Sequence, residues 1–248
     1  MVRLLVDLIP SAPRDGLALE EALLESVSAG GPDTLRLWVN QRAVVLGRSQ
    51  SAAAEVDLER AQKLGIPVLR RLSGGGAVYH YPGNLNLSLY FQQGCGLGGV
   101  EAVFSLFGEA IVSGLMDLGV EASVCGSGLF VGSRKLAGAA QARRGLALLY
   151  HTTLLLEADA VPMKELLRAM QGEYHPVGVP SFPHPVITLT QVCDGELDRE
   201  GVVQVVSERI ASRLGRKLYA GHLATAEIGR AEELARIRYG SDQWNRYR

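Results

Sequence analysis

The chain has 248 residues, of which 47% are hydrophobic and 21% are charged, and its formal net charge is −1. This composition is typical of a globular enzyme, and the near-zero charge excludes a strong field for nucleic acid or an anionic membrane. Cys95, Cys125 and Cys193 lie far apart and match neither a metal motif nor a disulfide framework. No apolar run has the length of a signal peptide core or a membrane span. We therefore expect a cytoplasmic protein with one domain over residues 1–248 and no nucleic-acid or membrane partner.

Hydrophobic periodicity predicts strands and helices that alternate irregularly along the chain. The predicted strands cover 3–9, 35–40, 43–46, 66–69, 85–90, 129–131, 136–139 and 146–157. The predicted helices cover 16–29, 52–64, 100–118, 163–170, 202–214 and 225–239. We expect 35–40 and 43–46 to pair around a tight turn. The four prolines within 174–185 predict an ordered loop that covers a site. The few β-α-β alternations favour an α+β fold with mixed β-sheets packed with helices.

The most informative segment is 70–80, which reads RRLSGGGAVYH. Its three consecutive glycines let backbone N–H groups approach a ligand closely. Arg70 and Arg71 suit a phosphate or carboxylate because a guanidinium can bind either one bidentately. The alternation over 85–90 predicts a half-buried strand after the loop. The segment is neither a P-loop nor a dinucleotide fingerprint. It predicts an anion-binding loop in a small-molecule site.

Segment 70–80, followed by Gly-Asn-x-Asn-x-Ser at 83–88, resembles the signature of the lipoate–protein ligase A family. This family lies within the biotin/lipoate ligase and octanoyltransferase superfamily. Segments that resemble other family motifs, in the family's order, are 16–21, 35–39, 44–50, 134–141, 151–155 and 239–245. The resemblance implies a biotin/lipoate ligase catalytic-domain fold over 1–248, without the accessory C-terminal domain of full-length ligases.

The resemblance also implies an activity. Such an enzyme attaches lipoate or octanoate by an amide bond to a lysine of a lipoyl carrier domain. It forms acyl-AMP from ATP with Mg²⁺ and has no metal site of its own. The implied partners are lipoyl domains of 2-oxoacid dehydrogenases or the H-type protein of glycine cleavage. An acyl carrier protein or a separate accessory subunit is the alternative further partner.

Site residues follow from the same resemblance. Lys135 matches the lysine that contacts the acyl carbonyl and the α-phosphate, although a lysine beside a turn is commonly just solvated. His80 is implied at the reacting centre, although a histidine can also be satisfied inside a sheet. The implied acyl and adenylate contacts are Arg71, Ser73, Gly74, Gly75, Gly76, Ala77, Asn84, Gly138, Ala139 and His151. The implied acyl pocket is Leu17, Leu19, Trp38 and Val78, which fit an ordinary core equally well.

Three departures from the family pattern keep other functions open. Cys125-Gly126-Ser127-Gly128 stands where ligases have Gly-Arg-Asn-Asp, Tyr81 replaces an Asp, and Thr152 replaces a Gly. Cys125 could act in an octanoyl or lipoyl transferase, taking the acyl group as a thioester from an acyl carrier protein without ATP. A buried Cys125 facing away from Lys135 would exclude that hypothesis. A non-catalytic acyl- or adenylate-binding relative is the third alternative. Biotin ligation is disfavoured because its Gly-Arg-rich loop is absent.

Overall fold

The structure is a computed structural model that describes residues 1–92, 96–193 and 197–246. In this part of the chain, two β-sheets form the framework of the protein. Cys95 lies outside the described residues. The eleven strands are β1 Val2–Ser11, β2 Thr34–Asn40, β3 Ala43–Leu46, β4 Val68–Arg70, β5 Val78–His80, β6 Asn84–Gln92, β7 Ser123–Cys125, β8 Gly128–Val131, β9 Arg134–Arg144, β10 Ala147–Leu155 and β11 Leu218–Ala220. The large mixed sheet has the order β11-β1-β2-β6-β10-β9-β8-β7, and the small sheet has the order β4-β3-β5. The prediction of mixed sheets with helices is confirmed.

Helices cover both faces of the large sheet. They are α1 Pro13–Ser28, α2 Ala52–Glu55, α3 Leu58–Lys63, α4 Val100–Asp117, α5 Leu189–Val192, α6 Arg199–Arg213, α7 Thr225–Leu234 and α8 Asp242–Asn245. Helices α4 and α6 pack together over the main apolar core, and α1 packs with α7 on the opposite side. Among the described residues, no helix combines the length and apolarity needed to cross a membrane.

The prediction that 35–40 and 43–46 pair with each other is wrong. Strand β2 pairs with β1 and β6 in the large sheet, whereas β3 pairs with β4 and β5 in the small sheet. Every residue of β3 is buried. Val44 and Leu46 pack in one apolar cluster, and Ala43 and Val45 pack in another. Both hydrogen-bonding edges of β3 are taken by β4 and β5, so its short connection to β2 does not form a hairpin.

Strand β6 is buried on both faces, not on one as the alternation predicts. Its leucines face the main core, while Ser88 on the other face contacts helix α1 through Glu20. The polar face of β6 is therefore interior because α1 covers it. This covered polar face lines part of the site described below.

Three predicted helices are divided in the structure. The helix predicted over 52–64 breaks after Glu55, since Val56 bridges Leu167 and the Asp57 side chain caps α3 by accepting from the Arg60 N–H. The helix predicted over 163–170 is two 3₁₀ turns, Met163–Glu165 and Arg168–Met170. The helix predicted over 225–239 ends at Leu234 and continues as a π-helical turn, Ala235–Tyr239.

Candidate functional site

A cavity of about 540 Å³ opens between the two sheets and segment 174–186, which we call the strap. Its volume falls within the roughly 300–1,000 Å³ range of small-molecule sites. The predicted site residues that line the cavity are Leu17, Trp38, Arg71, Gly75, Gly76, Ala77, Val78, His80, Cys125, Lys135, Gly138, Ala139 and His151. Segments distant in sequence therefore meet around one cavity.

Four predicted site residues lie outside the cavity lining, namely Leu19, Ser73, Gly74 and Asn84. Ser73 lies directly behind it, with its Oγ 2.7 Å from Nε2 of His151. Leu19 packs against the apolar cluster beneath α1. Asn84 is fully buried and accepts a hydrogen bond from the Tyr81 N–H, which supports the turn into β6.

The glycine loop, 73–77, is held against its neighbours by close backbone packing. A Cβ atom on Gly47 would clash with the Gly75 carbonyl, and one on Gly76 would lie 2.9 Å from Ser181 Oγ of the strap. Gly75 has a φ of 86°, a conformation that L side chains rarely adopt. Among the described residues, the N–H groups of Gly74, Gly75 and Gly76 donate to no protein acceptor. The loop is thus a set of backbone donors at a close-packed position.

Arg71 holds the glycine loop in its conformation through hydrogen bonds. Its Nη2 donates to the carbonyls of Gly74 and Gly76 at 2.6 and 2.8 Å, its Nη1 donates to Val45 O, and its Nε donates to Ser73 Oγ. Burial lowers the pKa of Arg71 to about 10. Since the carbonyls of the loop turn toward this guanidinium, Arg71 acts mainly on the loop's conformation.

Arg70 does not bind an anion in the way that its position in the sequence predicts. It is fully buried outside the cavity, and its guanidinium donates to the carbonyls of Gly47, Arg48, Gln50, Trp244 and Asn245. The Trp244 indole donates in return to the Arg70 carbonyl at 2.9 Å. The motif near the C-terminus therefore anchors the strand that leads into the loop.

A first polar chain runs along the cavity wall through Glu20 and His151. The buried Glu20 carboxylate accepts from Ser88 Oγ at 2.6 Å and from His151 Nδ1 at 2.9 Å. Burial by itself raises the pKa of Glu20, but His151, Ser88 and Arg36 together lower it below its usual value. With Nδ1 donating to a carboxylate, Nε2 of His151 accepts from the Ser73 hydroxyl. Both ring nitrogens are therefore occupied.

A second polar chain contains His80. The Asn40 amide donates to its Nδ1, and its Nε2 then donates to Thr153 Oγ1, each at 3.1 Å. The Thr153 hydroxyl donates onward to Asn86 Oδ1 at 2.9 Å. Burial lowers the pKa of His80 to about 3, so its ring is neutral near pH 7. The chain ends at Asn86 Nδ2, a buried donor at the cavity wall with no acceptor among the described residues.

A β-bulge in the large sheet positions Lys135. Leu129 pairs with Ala137, but Phe130 pairs with Lys135, so Leu136 forms a bulge in β9. Bulges re-aim side chains and are common next to active sites. The lysine side chain passes over Gly128 and Gly138, where an added Cβ would lie 3.3 Å from its Cε. Burial lowers the pKa of Lys135. No carboxylate in the described part of the chain pairs with it.

The strap is fixed to both sides of the cavity. Glu55 accepts from Tyr174 OH and Ser181 Oγ, each at 2.6 Å. Ser181 Oγ also accepts from the Ala77 N–H of the glycine loop at 2.9 Å. At its far end, Lys135 N donates to Pro185 O at 2.7 Å, and Ile187 N donates to Lys135 O. The strap therefore connects the glycine loop to the lysine strand.

Cys125 is exposed at the end of β7 and lines the same cavity as Lys135. The condition that would exclude the transferase hypothesis, a buried cysteine facing away, is not met. The cavity lining also includes polar residues that the sequence did not single out, among them Glu20, Asn86, Ser88, Ser127, Thr153, Ser181 and His184. Asn86 lies in the same Gly-Asn-x-Asn motif as Asn84, but the tertiary contacts distinguish them: Asn84 accepts from the Tyr81 N–H, whereas Asn86 lines the cavity.

The fold and site define a class: enzymes of the biotin/lipoate ligase fold, in which a glycine loop and a strand-borne lysine share one acyl-sized cavity. A biotin protein ligase of Aquifex aeolicus supports the fold alone, with a TM-score of 0.52 at 13% identity over 87% of this chain and 70% of that chain. The model of the lipoyl protein ligase A/B catalytic domain matches residues 12–211. The chain belongs to this family and is an enzyme similar to lipoate–protein ligases.

Three relatives illustrate the range of the family. A protein of Aeropyrum pernix named for lipoate-protein ligase A is 34% identical over 92% of this chain and 86% of its own. The lipoate-protein ligase A subunit 1 of Thermoplasma acidophilum is 29% identical over 98% of this chain and 95% of its own. The octanoyltransferase LipM of Symbiobacterium thermophilum is 28% identical over 93% of each chain.

Solved structures agree closely in fold. The T. acidophilum lipoate protein ligase with bound lipoic acid has a TM-score of 0.84 at 28% identity over 99% of each chain. A lipoate-protein ligase A bound with ATP also has a TM-score of 0.84, at 28% identity over 98% of this chain and 97% of that chain. A third structure, of a bi-partite T. acidophilum ligase and its E2 lipoyl domain, has a TM-score of 0.83 at 25% identity over 99% of this chain and 96% of that chain.

Proposed function

We propose that residues 1–248 act as one catalytic domain that attaches lipoate or octanoate to a lysine of a lipoyl carrier domain through an acyl-adenylate. The observation that carries this proposal is the meeting of two groups in one mainly apolar cavity. These are the glycine loop, whose N–H donors find no acceptor in the described part of the chain, and Lys135, which pairs with no carboxylate there. Relatives named as ligases, and similar structures with lipoic acid or ATP bound, support it.

The residues of this chain suit both steps of such a reaction. In the first step, an oxygen of the acyl carboxylate attacks the α-phosphate of ATP, and pyrophosphate leaves. In the second, the carrier lysine attacks the acyl carbonyl, and AMP leaves. Charge develops on carbonyl and phosphate oxygens in both steps, and preorganised donors that stabilise such charge supply a large part of catalysis. Lys135 and the N–H groups of Gly75 and Gly76, which line the cavity, are donors of this kind.

The polar groups of the cavity also fit an acyl-adenylate. Asn86 Nδ2 is a buried donor that lacks an acceptor among the described residues, and an acyl carboxylate or carbonyl oxygen would satisfy it. The described residues contain no group of three or more His, Cys, Asp or Glu that could hold a metal ion. Mg²⁺ commonly binds through substrate phosphates, waters and one or two carboxylates, so Mg²⁺ would enter this site with ATP.

The carrier and any second subunit are part of the proposal. A similar structure contains an E2 lipoyl domain, which supports a lipoyl domain as the acceptor. The ligase in that T. acidophilum structure is bi-partite, and the T. acidophilum protein similar to this chain is named subunit 1. Both names support testing an accessory subunit here. The lipoyl domains of 2-oxoacid dehydrogenases and the H-type protein of glycine cleavage are the acceptors to compare.

A second candidate function is favoured by Cys125. Its thiol is exposed in the cavity that holds Lys135, and a relative with similar coverage is an octanoyltransferase. In this alternative, the thiolate takes an octanoyl group from an acyl carrier protein as a thioester. The carrier lysine then attacks that thioester, and neither ATP nor Mg²⁺ is used.

Intact-mass spectrometry of a purified lipoyl domain separates the two routes. One arm supplies lipoate with Mg-ATP, and the other supplies octanoyl carrier protein without ATP, each with and without an accessory subunit. Cys125→Ser tests the thiol, and Cys193→Ser is the matched control because Cys193 is exposed but lies outside the cavity. ATP-dependent mass gain that survives Cys125→Ser supports the ligase. Gain from the carrier protein alone, lost in Cys125→Ser, replaces it with the transferase. No gain in either arm leaves a binding protein.

A further inference from the structure

The last step of the proposed reaction needs a base. An amine that attacks a carbonyl becomes strongly acidic as the C–N bond forms, and the resulting amide must lose that proton. A side chain positioned to accept such a proton typically contributes roughly 10²–10⁴-fold to the rate, and histidine is the commonest choice. Three histidines line the cavity: His80, His151 and His184.

Two of these histidines are already occupied. His80 is buried, with Asn40 donating to Nδ1 and Thr153 accepting from Nε2. His151 donates to Glu20 and accepts from Ser73. Neither ring has a nitrogen available to an incoming amine without breaking a hydrogen bond behind the cavity wall.

His184 is placed differently. It lies on the strap between Pro183 and Pro185, whose rings restrict the backbone, and its side chain is exposed. Its imidazole meets the Phe130 ring edge to face, with centroids 5.2 Å apart and planes at 83°. Among the described residues, no hydrogen bond occupies either ring nitrogen. It is therefore reachable from outside the cavity and held by an apolar contact.

Two backbone pairings bring His184 to the lysine end of the cavity. Phe130, which its ring contacts, is the cross-strand partner of Lys135 in β8 and β9. Val186, two residues after His184, forms a parallel bridge with Lys135. Alternate residues of an extended segment point to the same side, so His184 and Val186 share the face that lines the cavity. Both do line it.

We propose that His184 accepts the proton of the attacking carrier lysine; this inference rests on the proposed function. The lysine ammonium first loses one proton to water. The neutral amine then forms the C–N bond, and His184 takes one proton from that nitrogen. The bond from the acyl carbon to the AMP phosphate oxygen breaks, and AMP leaves with the electron pair. Lys135 remains charged and stabilises the departing oxygen.

The step is tested by separating the two half-reactions in His184→Gln. Transfer is followed in single turnover from synthetic lipoyl-AMP to a purified lipoyl domain over about pH 6–9, and adenylate formation is followed by pyrophosphate exchange. We expect transfer near pH 7 to slow by about 10²-fold, adenylate formation to stay within about twofold, and free imidazole to restore part of the transfer rate. The other titratable groups at this end are Lys135 of β9 and Cys125 of β7, so Cys125→Ser is run in parallel to assign the pH profile.

His175→Gln is the matched control, because His175 is exposed on the same strap but lies outside the cavity. An unchanged transfer rate in His184→Gln would overturn the proposal. An equal loss in both half-reactions would also overturn it, since that result indicates a role in binding. Wild-type protein that transfers nothing from lipoyl-AMP would overturn the proposed function first, and this inference with it.

Discussion

The two ends of the cavity handle polar groups in opposite ways. At the inner end, Glu20, Ser73, His80 and His151 are hydrogen-bonded to other protein groups. At the outer end, Lys135 has no carboxylate partner among the described residues, and Cys125 and His184 are exposed. At the inner end most polar groups are paired within the protein, although Glu20 Oε2 and Asn86 Nδ2 have no partner among the described residues. The outer end presents groups that no protein partner occupies in the described part of the chain.

This difference indicates that the two ends of the cavity have different roles. A satisfied buried network is rigid, and its loss leaves polar groups uncompensated. Groups kept without protein partners cost stability but are available to a substrate. We therefore expect substitutions at the outer end to affect the reaction more than the fold, and substitutions at the inner end to affect the fold at least as much as the reaction. Asn86 ends the inner network at the cavity wall, so its substitution should mainly affect ligand affinity.

The largest expected effect is at the outer end. Lys135→Met keeps the apolar stem but removes the ammonium, and loss of one such transition-state donor costs about 10³-fold in rate. Because Lys135 is half-buried without a carboxylate partner in the described residues, its loss should leave the melting temperature unchanged or raise it slightly. Single-turnover transfer and thermal denaturation measure the two effects. Arg134→Met is the control, since Arg134 is exposed next to it. A comparable loss in both variants would contradict a specific role for Lys135.

The second effect is on the pH dependence of the unfolding free energy, and it arises from His80 at the inner end. The pKa of His80 is about 3 in the folded protein, against about 6.5 for an unfolded histidine. The unfolded state alone therefore binds this proton between those values, so stability is lost as pH falls below about 6.5. At about pH 4.5, His80 should account for about 2–3 kcal/mol of the loss in unfolding free energy.

His80→Gln should remove this part of the acid sensitivity, measured by urea denaturation at about pH 7 and about pH 4.5. His175→Gln, at an exposed histidine, should retain it. Parallel pH curves for the wild type and His80→Gln would show that His80 is not held neutral by burial.

The smallest expected effect is at Asn86. Asn86→Asp keeps the acceptor for Thr153 but replaces the unpartnered Nδ2 donor with an oxygen. Loss of one hydrogen bond to a charged ligand group should weaken lipoate or octanoate binding by about tenfold. Isothermal titration calorimetry gives the affinity. Asn84→Asp keeps the acceptor for the Tyr81 N–H and lies outside the cavity, so its affinity should change little. The reverse order of effects would favour Asn84, the asparagine selected from the sequence.

Much of the local structure could be predicted from the sequence alone. The apolar spacing of α1, α4 and α6 placed these helices within a few residues of their bounds, because a helical face repeats among near neighbours in the chain. The glycine triplet predicted the loop, and the family motifs predicted the fold and a site that includes Lys135. The prolines of 174–185 predicted the irregular segment that lines the cavity.

The tertiary structure decided the rest, because it depends on residues far apart in the sequence. Whether β3 joins β2 depends on β4 and β5, which occupy its two edges, and whether β6 is half-buried depends on α1. Arg70 matches the pattern of an anion binder, yet a tail about 175 residues away contributes two of its carbonyl partners. Local sequence specifies which donors and acceptors are present, but their partners, and hence which remain for a substrate, are decided only when the chain is packed.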